Sequence, residues 1–151
     1  MEIKKKKKKK ITEQQITEKL RKQCVSIAKR ISKIKDNYKC IYCGIGKPQR
    51  LIHSHHFFHE GLYKSMSADV DNLVSLCASH HQGGLYMKSH DKFNFHNSPR
   101  EGTEWFMENY PKRYKELKER SMLFQDLTYK YWEDKLVELK KQLEKYVKKI
   151  D

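Results

Sequence analysis

Within this 151-residue chain, two pairs of metal-ligating side chains bracket a group of histidines. Cys40-Ile41-Tyr42-Cys43-Gly44 sets two cysteines two residues apart with glycine behind them, a knuckle that aims two thiolates at one ion. Cys77-Ala78-Ser79-His80 repeats the spacing with histidine as its last ligand. With 33 residues between the pairs, the donor set is Cys3His, that of a closed tetrahedral Zn2+ site. Four protein ligands leave no coordination position for chemistry. This zinc is therefore expected to be structural, clipping the segment after Cys40 to the one before His80.

The residues between the pairs are expected to form two short strands. Leu51-Ile52-His53-Ser54-His55-His56-Phe57-Phe58 is bracketed by Pro48 and Gly61, and Asn72-Leu73-Val74-Ser75-Leu76 runs straight into Cys77. His80 and His81 should then open a helix. Neighbouring residues on a strand point to opposite faces, so His55 and His56 cannot share a task, whereas His53 shares a face with His55. His53 and His59 read as structural or exposed histidines, and Asp69 and Asp71 as the start of a turn.

These segments need elements to hold them. Thr12 and Gln15 form a capping-box pattern, and Ile16, Leu20, Cys24, Ile27, Ile31 and Ile34 recur on one face, which predicts an amphipathic helix over residues 11–37. Cys24 on that stripe reads as a small buried hydrophobe. Ser98-Pro99-Arg100-Glu101 offers an N-cap, a first-turn proline and an acidic third residue, opening a short helix that Pro111 ends or kinks. Trp105 and Phe106 on it read as core. Residues 112–151 are expected to form a long basic helix, with Tyr129, Trp132, Leu136, Leu139, Leu143, Tyr146 and Ile150 spaced by threes and fours. Either the N-terminal helix covers that stripe within one chain, which the similar stripe lengths favour, or two chains pair through it as a homodimer.

Charge divides the chain the same way. Residues 1–10 hold seven lysines and one glutamate, 11–39 eight basic and three acidic residues, 40–111 six and seven, and 112–151 twelve and eight, for a net +14. All eight histidines lie in the nearly neutral middle. The run Lys4, Lys5, Lys6, Lys7, Lys8, Lys9 and Lys10 repels itself and is expected to be a disordered tail. It either holds a polyanion by counterion release or is a solvated low-complexity segment. Lys112 and Arg113 are further candidates for phosphate contact, against the plainer reading of a solvated helix turn. A mean hydropathy of −0.96 and the lack of a long apolar run predict no membrane span and a soluble, intracellular protein.

The order His55-His56, Asp71-Asn72-Leu73, then Leu76-Cys77 with His80-His81 resembles the HNH endonucleases, and the longer string from His56-Phe57-Phe58 to Trp105-Phe106 resembles phage NinG-type recombination endonucleases. The resemblance covers about residues 38–118. It implies metal-dependent hydrolysis of phosphodiester bonds in DNA, with His56 as general base and Asn72 locking the loop that carries it. His55 and His81 would hold one Mg2+ or Mn2+, with His96, or less so His90, as an added ligand. Histidine rather than aspartate at position 55 favours a borderline ion such as Zn2+ or Ni2+. Two departures stand out: His80 replaces the more usual closing cysteine, and Ser67 and Ala68 stand where a basic and an aromatic residue are expected.

The expected architecture is α+β: a tail over 1–10, a helix over 11–37, a zinc-clipped ββα-metal core over 38–111, and a C-terminal helix over 112–151. A non-catalytic zinc-ribbon module that binds nucleic acid is the alternative.

Overall fold

The computed structural model describes residues 11–83 and 94–149, so the lysine run, His90 and Ile150 lie outside the described residues. Helix α1 spans Glu13–Lys35. Its first turn is closed by the predicted box: the Gln15 amide donates to the Thr12 hydroxyl (3.2 Å) and the Thr12 amide to the Gln15 side chain (3.0 Å). Asn37 and Tyr38, with φ of 52° and 53°, take left-handed conformations that end the helix and turn the chain into the Cys40 knuckle.

Strands β1 (Ile52–His56) and β2 (Leu73–Cys77) pair antiparallel, with His56 opposite Leu73 and Ile52 opposite Cys77. Among the described residues the sheet has two strands, too few to be stable alone, and is covered on both faces. Leu73 packs with Cys24, Ala28 and Ile31 of α1, while Val74 and Leu76 pack with Phe95, Phe106 and Leu117. β1 stops short of the expected Phe58 because the Phe57 and Phe58 amides turn away to the backbone and side chain of Asn72.

Helices α2 (Ala78–Gln82), α3 (Pro99–Asn109), α4 (Pro111–Ser121) and α5 (Tyr129–Val147) follow. Ser98 precedes α3 as predicted but makes no side-chain cap bond. Phe106 is fully buried and stacks on Phe57 at 4.2 Å between ring centroids, in keeping with a core role. The single helix expected over 112–151 is two helices. α4 already starts at Pro111, its last turn closes at Met122, and Thr128 caps a new helix by accepting from the Tyr131 amide (3.3 Å).

α1 lies on α5 and takes up the C-terminal stripe. Trp132 and Leu139 are buried against Cys24 and Ile31, with Leu136, Leu143 and Tyr146 at the margins. The Cys24 thiol is fully buried and donates to the Trp132 carbonyl (3.4 Å). The C-terminal stripe is thus covered by α1 within the chain. Replacing Trp132 by Ala should cost about 3–5 kcal/mol. Denaturant unfolding measures this, and a loss below about 1 kcal/mol would show that α5 is not integral to the core.

Candidate metal and histidine site

The two predicted ligand pairs meet. The Sγ atoms of Cys40, Cys43 and Cys77 and a ring nitrogen of His80 all lie within 4.8 Å of one another. Individual separations are 3.2 Å from Cys77 Sγ to His80 Nδ1, 3.7 Å from Cys40 Sγ to the same atom, and 3.9 Å between Cys43 and Cys77. Ligands at about 2.0–2.3 Å from a tetrahedral ion stand roughly 3.5–3.8 Å apart, so the cluster fits Zn2+. No disulfide competes, since all three cysteines are free. Burial pushes the Cys40 thiol up to about 12 and raises that of Cys43, so an ion must displace their protons as it binds.

Local backbone chemistry shapes the cradle. Gly44, at φ +71°, allows its amide to donate back to the Cys40 carbonyl (2.8 Å), while the Cys40 amide donates to Ile45 (2.9 Å). The Ile41 amide donates to Ser75 (2.9 Å) and ties the knuckle to β2. Tyr42 covers His80, with ring centroids 4.4 Å apart.

At the other end of the hairpin, Asn72 is fully buried and holds the loop over residues 57–72. Its Oδ1 accepts from the Phe58 amide (2.7 Å), and its Nδ2 donates to the carbonyls of Phe58 (2.9 Å) and Met66 (3.1 Å). One side chain thereby satisfies three backbone groups. The same loop orients His56, whose Nε2 lies 2.8 Å from the Ser67 carbonyl. A carbonyl only accepts, so Nε2 carries the proton and the neutral ring keeps its lone pair on Nδ1. Burial lowers the His56 pKa against the opposing pull of the Ser67 carbonyl, which favours this neutral form.

His55 belongs to a different group. Its ring lies 5.4 Å from that of His81 on α2 and 5.9 Å from Phe95. His96 joins from the segment before α3, with its ring 6.5 Å from His81 and its amide donating to the His81 carbonyl (3.2 Å). Burial, reinforced by neighbouring imidazoles, pushes both His55 and His81 down to about 4. Both rings are therefore neutral near pH 7, the form in which imidazole binds a metal. The Nδ1 of His81 is buried without a hydrogen-bond partner, an unmet polar atom. Among the described residues the Cys3His set alone brings three or more ligand atoms this close, so His55 and His81 form no closed cage of that kind.

His53, expected to be structural or exposed, is half-buried beside the same group. Its ring lies 5.1 Å from His81, nearer than that of His55, and the period of two along β1 was the signal for it. Arg113, expected on phosphates, is committed inside the fold. Its Nε donates to the Asp71 carbonyl (2.8 Å), its Nη2 to Leu73 (2.9 Å), and its guanidinium lies over the Phe106 ring. Two of its five N–H donors are thus spent on the fold, a structural task beside the phosphate contact expected of it. Lys112 is exposed, 4.0 Å from Glu116. Asp69 accepts from the Asp71 amide (2.9 Å), the expected turn.

Purified protein should carry about one tightly held zinc per chain. Cys77→Ser should lose it and lower Tm by roughly 10 °C or more, corresponding to about 3 kcal/mol in a chain of this size; unchanged Tm and no bound metal in the wild type would contradict the site. Asn72→Ala should cost about 2–4 kcal/mol by stranding three loop backbone groups, checked by thermal unfolding. Compared with protein-family models, curated proteins and solved structures, the chain matches none.

Proposed function

We propose that the protein is a metal-dependent endonuclease that hydrolyses phosphodiester bonds in DNA, with a ββα-metal core of the HNH type. The observation that carries this reading is the arrangement around the hairpin. His56, its tautomer set by the Ser67 carbonyl, adjoins His55 on β1, the His55 and His81 rings lie 5.4 Å apart, and Asn72 fixes the loop that follows His56. The order of these residues along the chain, and its resemblance to HNH endonucleases, supports the same conclusion.

In this reading His56 takes a proton from the attacking water through Nδ1, the nitrogen left free when Nε2 donates to Ser67. Water oxygen bonds to phosphorus and the bond to the 3′ oxygen breaks. His55 and His81, both uncharged near neutral pH, are the residues that would hold a divalent ion such as Mg2+, Mn2+, Zn2+ or Ni2+. When bound, that ion supplies Lewis-acid stabilisation of the charge gathering on the phosphate and leaving oxygen. Asn72 touches no reacting atom and acts by holding the loop that aims His56. The Cys3His zinc keeps the strand ends together and takes no part in hydrolysis.

Incubation with supercoiled plasmid and with branched DNA, in Mg2+, Mn2+ or Ni2+, tests the proposal. His56→Ala should lower single-turnover cleavage by about 10²–10⁴-fold while leaving bound zinc unchanged. Equal cleavage by the variant removes His56 from the mechanism, and DNA binding without cleavage in any metal favours the zinc-ribbon binding module instead.

A further inference from the structure

The face that α1 turns toward β1 is basic. Lys22, Ser26, Lys29 and Lys33 follow one another at intervals of four, three and four residues and so form one stripe. The helix is joined to the strand here, since the Ser54 hydroxyl donates to the Lys29 carbonyl (3.2 Å). Lys29 is close enough for its charge to act on both His56 and His81, the two groups on either side of the hairpin. Lys47, on the turn after the Cys40 knuckle, extends the same positive region beyond Lys33.

These lysines differ from most cations around them. Arg21 is paired with Glu18 and Glu60, Lys35 with Asp71, Arg120 with Asp69 and Asp71, and Lys135 with Glu138. Lys22 has only a distant contact with Glu18, at 4.0 Å. Lys29 and Lys33 are half-buried and have no carboxylate partner among the described residues. Burial, followed by the charges of Lys47 and Lys29, lowers the Lys33 pKa, the mark of an ammonium that lacks an anion. Like charges four apart on a helix repel. An anion laid along the stripe relieves both costs. Glu18 and Glu60, the acids at the Lys22 end, are both held by Arg21, at 2.7 and 3.3 Å, which offsets their charge toward an approaching anion.

We propose that Lys29 and Lys33, flanked by Lys22 and Lys47, form a phosphate track that seats a duplex DNA backbone beside the histidine site. The inference rests on the nuclease reading for its substrate and names the surface that would hold it. From Lys22 to Lys33 the stripe extends about 16 Å along the helix axis, and duplex DNA presents a charge about every 1.7 Å of its own axis. Several phosphates therefore lie within reach. The track also differs from the expected contacts at Lys112 and Arg113, of which Arg113 is tied to backbone carbonyls.

The test is a salt titration of binding to a labelled DNA duplex, followed by fluorescence anisotropy, in full-length His56→Ala protein so that the probe survives. Lys29→Glu with Lys33→Glu should weaken binding by roughly tenfold per lysine near 0.1 M salt and flatten the slope of log K against log salt by about 0.9 per contact. Lys140→Glu with Lys141→Glu makes the same change of net charge on exposed positions of α5 and should have a much smaller effect. The milder Lys29→Gln with Lys33→Gln pair guards against misfolding and should show a reduced slope at unchanged Tm. Equal responses from the α1 and α5 pairs, or an unaltered slope in the α1 pair, overturn the track. Absence of DNA binding at every salt concentration overturns both the track and the nuclease reading. Binding that depends on Lys29 and Lys33 in a wild type that cleaves nothing leaves the track standing and removes only the nuclease.

Discussion

The meeting of Cys40, Cys43, Cys77 and His80 is the constraint on which the remaining geometry depends. A two-stranded hairpin buries too little surface to hold its own register. The cluster joins the knuckle before β1 to the junction of β2 and α2, and so fixes where the hairpin begins and ends. α2 is only five residues long and could not hold its place by helix propensity, yet it carries both His80 and His81. His81 is positioned because its neighbour belongs to the cluster.

Asn72 does for the loop what the cluster does for the strand ends. The loop leaves β1 after His56 and returns at Leu73, and the Asn72 side chain draws Phe58 and Met66 together across it. Around it, charged residues act as brackets. Asp71 meets Lys35 of α1 and Arg120 of α4, and Arg113 grips the carbonyls of Asp71 and Leu73. Burial raises the Asp71 carboxyl, but Lys35 and Arg120 more than offset this and hold it below the usual carboxylate range. Two helices, α1 and α4, thus converge on one turn, and the cations there are spent on the fold. On the neighbouring side of α1, Lys29 and Lys33 have no such partners among the described residues.

Much of the site was legible because it obeys short-range rules. The x-x spacing of the two ligand pairs, the Thr12–Gln15 box and the three-four stripes of α1 and α5 each depend on residues within a turn or a knuckle of one another. The opposite orientation of His55 and His56 follows from the strand period alone. Less legible were events set by distant partners. Phe57 and Phe58 have the composition of strand residues but leave β1 because Asn72 captures them. Arg113 has the appearance of a phosphate ligand but packs on Phe106 and bonds to carbonyls 40 and 42 residues earlier in the chain. The end of α4 was hidden because Met122 to Thr128 contains neither glycine nor proline, and the capping role of Thr128 shows only once α5 begins.

By itself, then, the sequence determined the ligand chemistry of the Cys3His cluster, the amphipathic faces of the first and last helices, and the separation of a neutral histidine-rich centre from basic flanks. These are properties of residue type and local period. Tertiary structure alone decided that α1 covers the α5 stripe, that His53 as well as His55 approaches His81, and which cations are neutralised and which remain free. Those outcomes depend on which surfaces meet across tens of residues, and a side chain's burial, partner and protonation are fixed only after they have met.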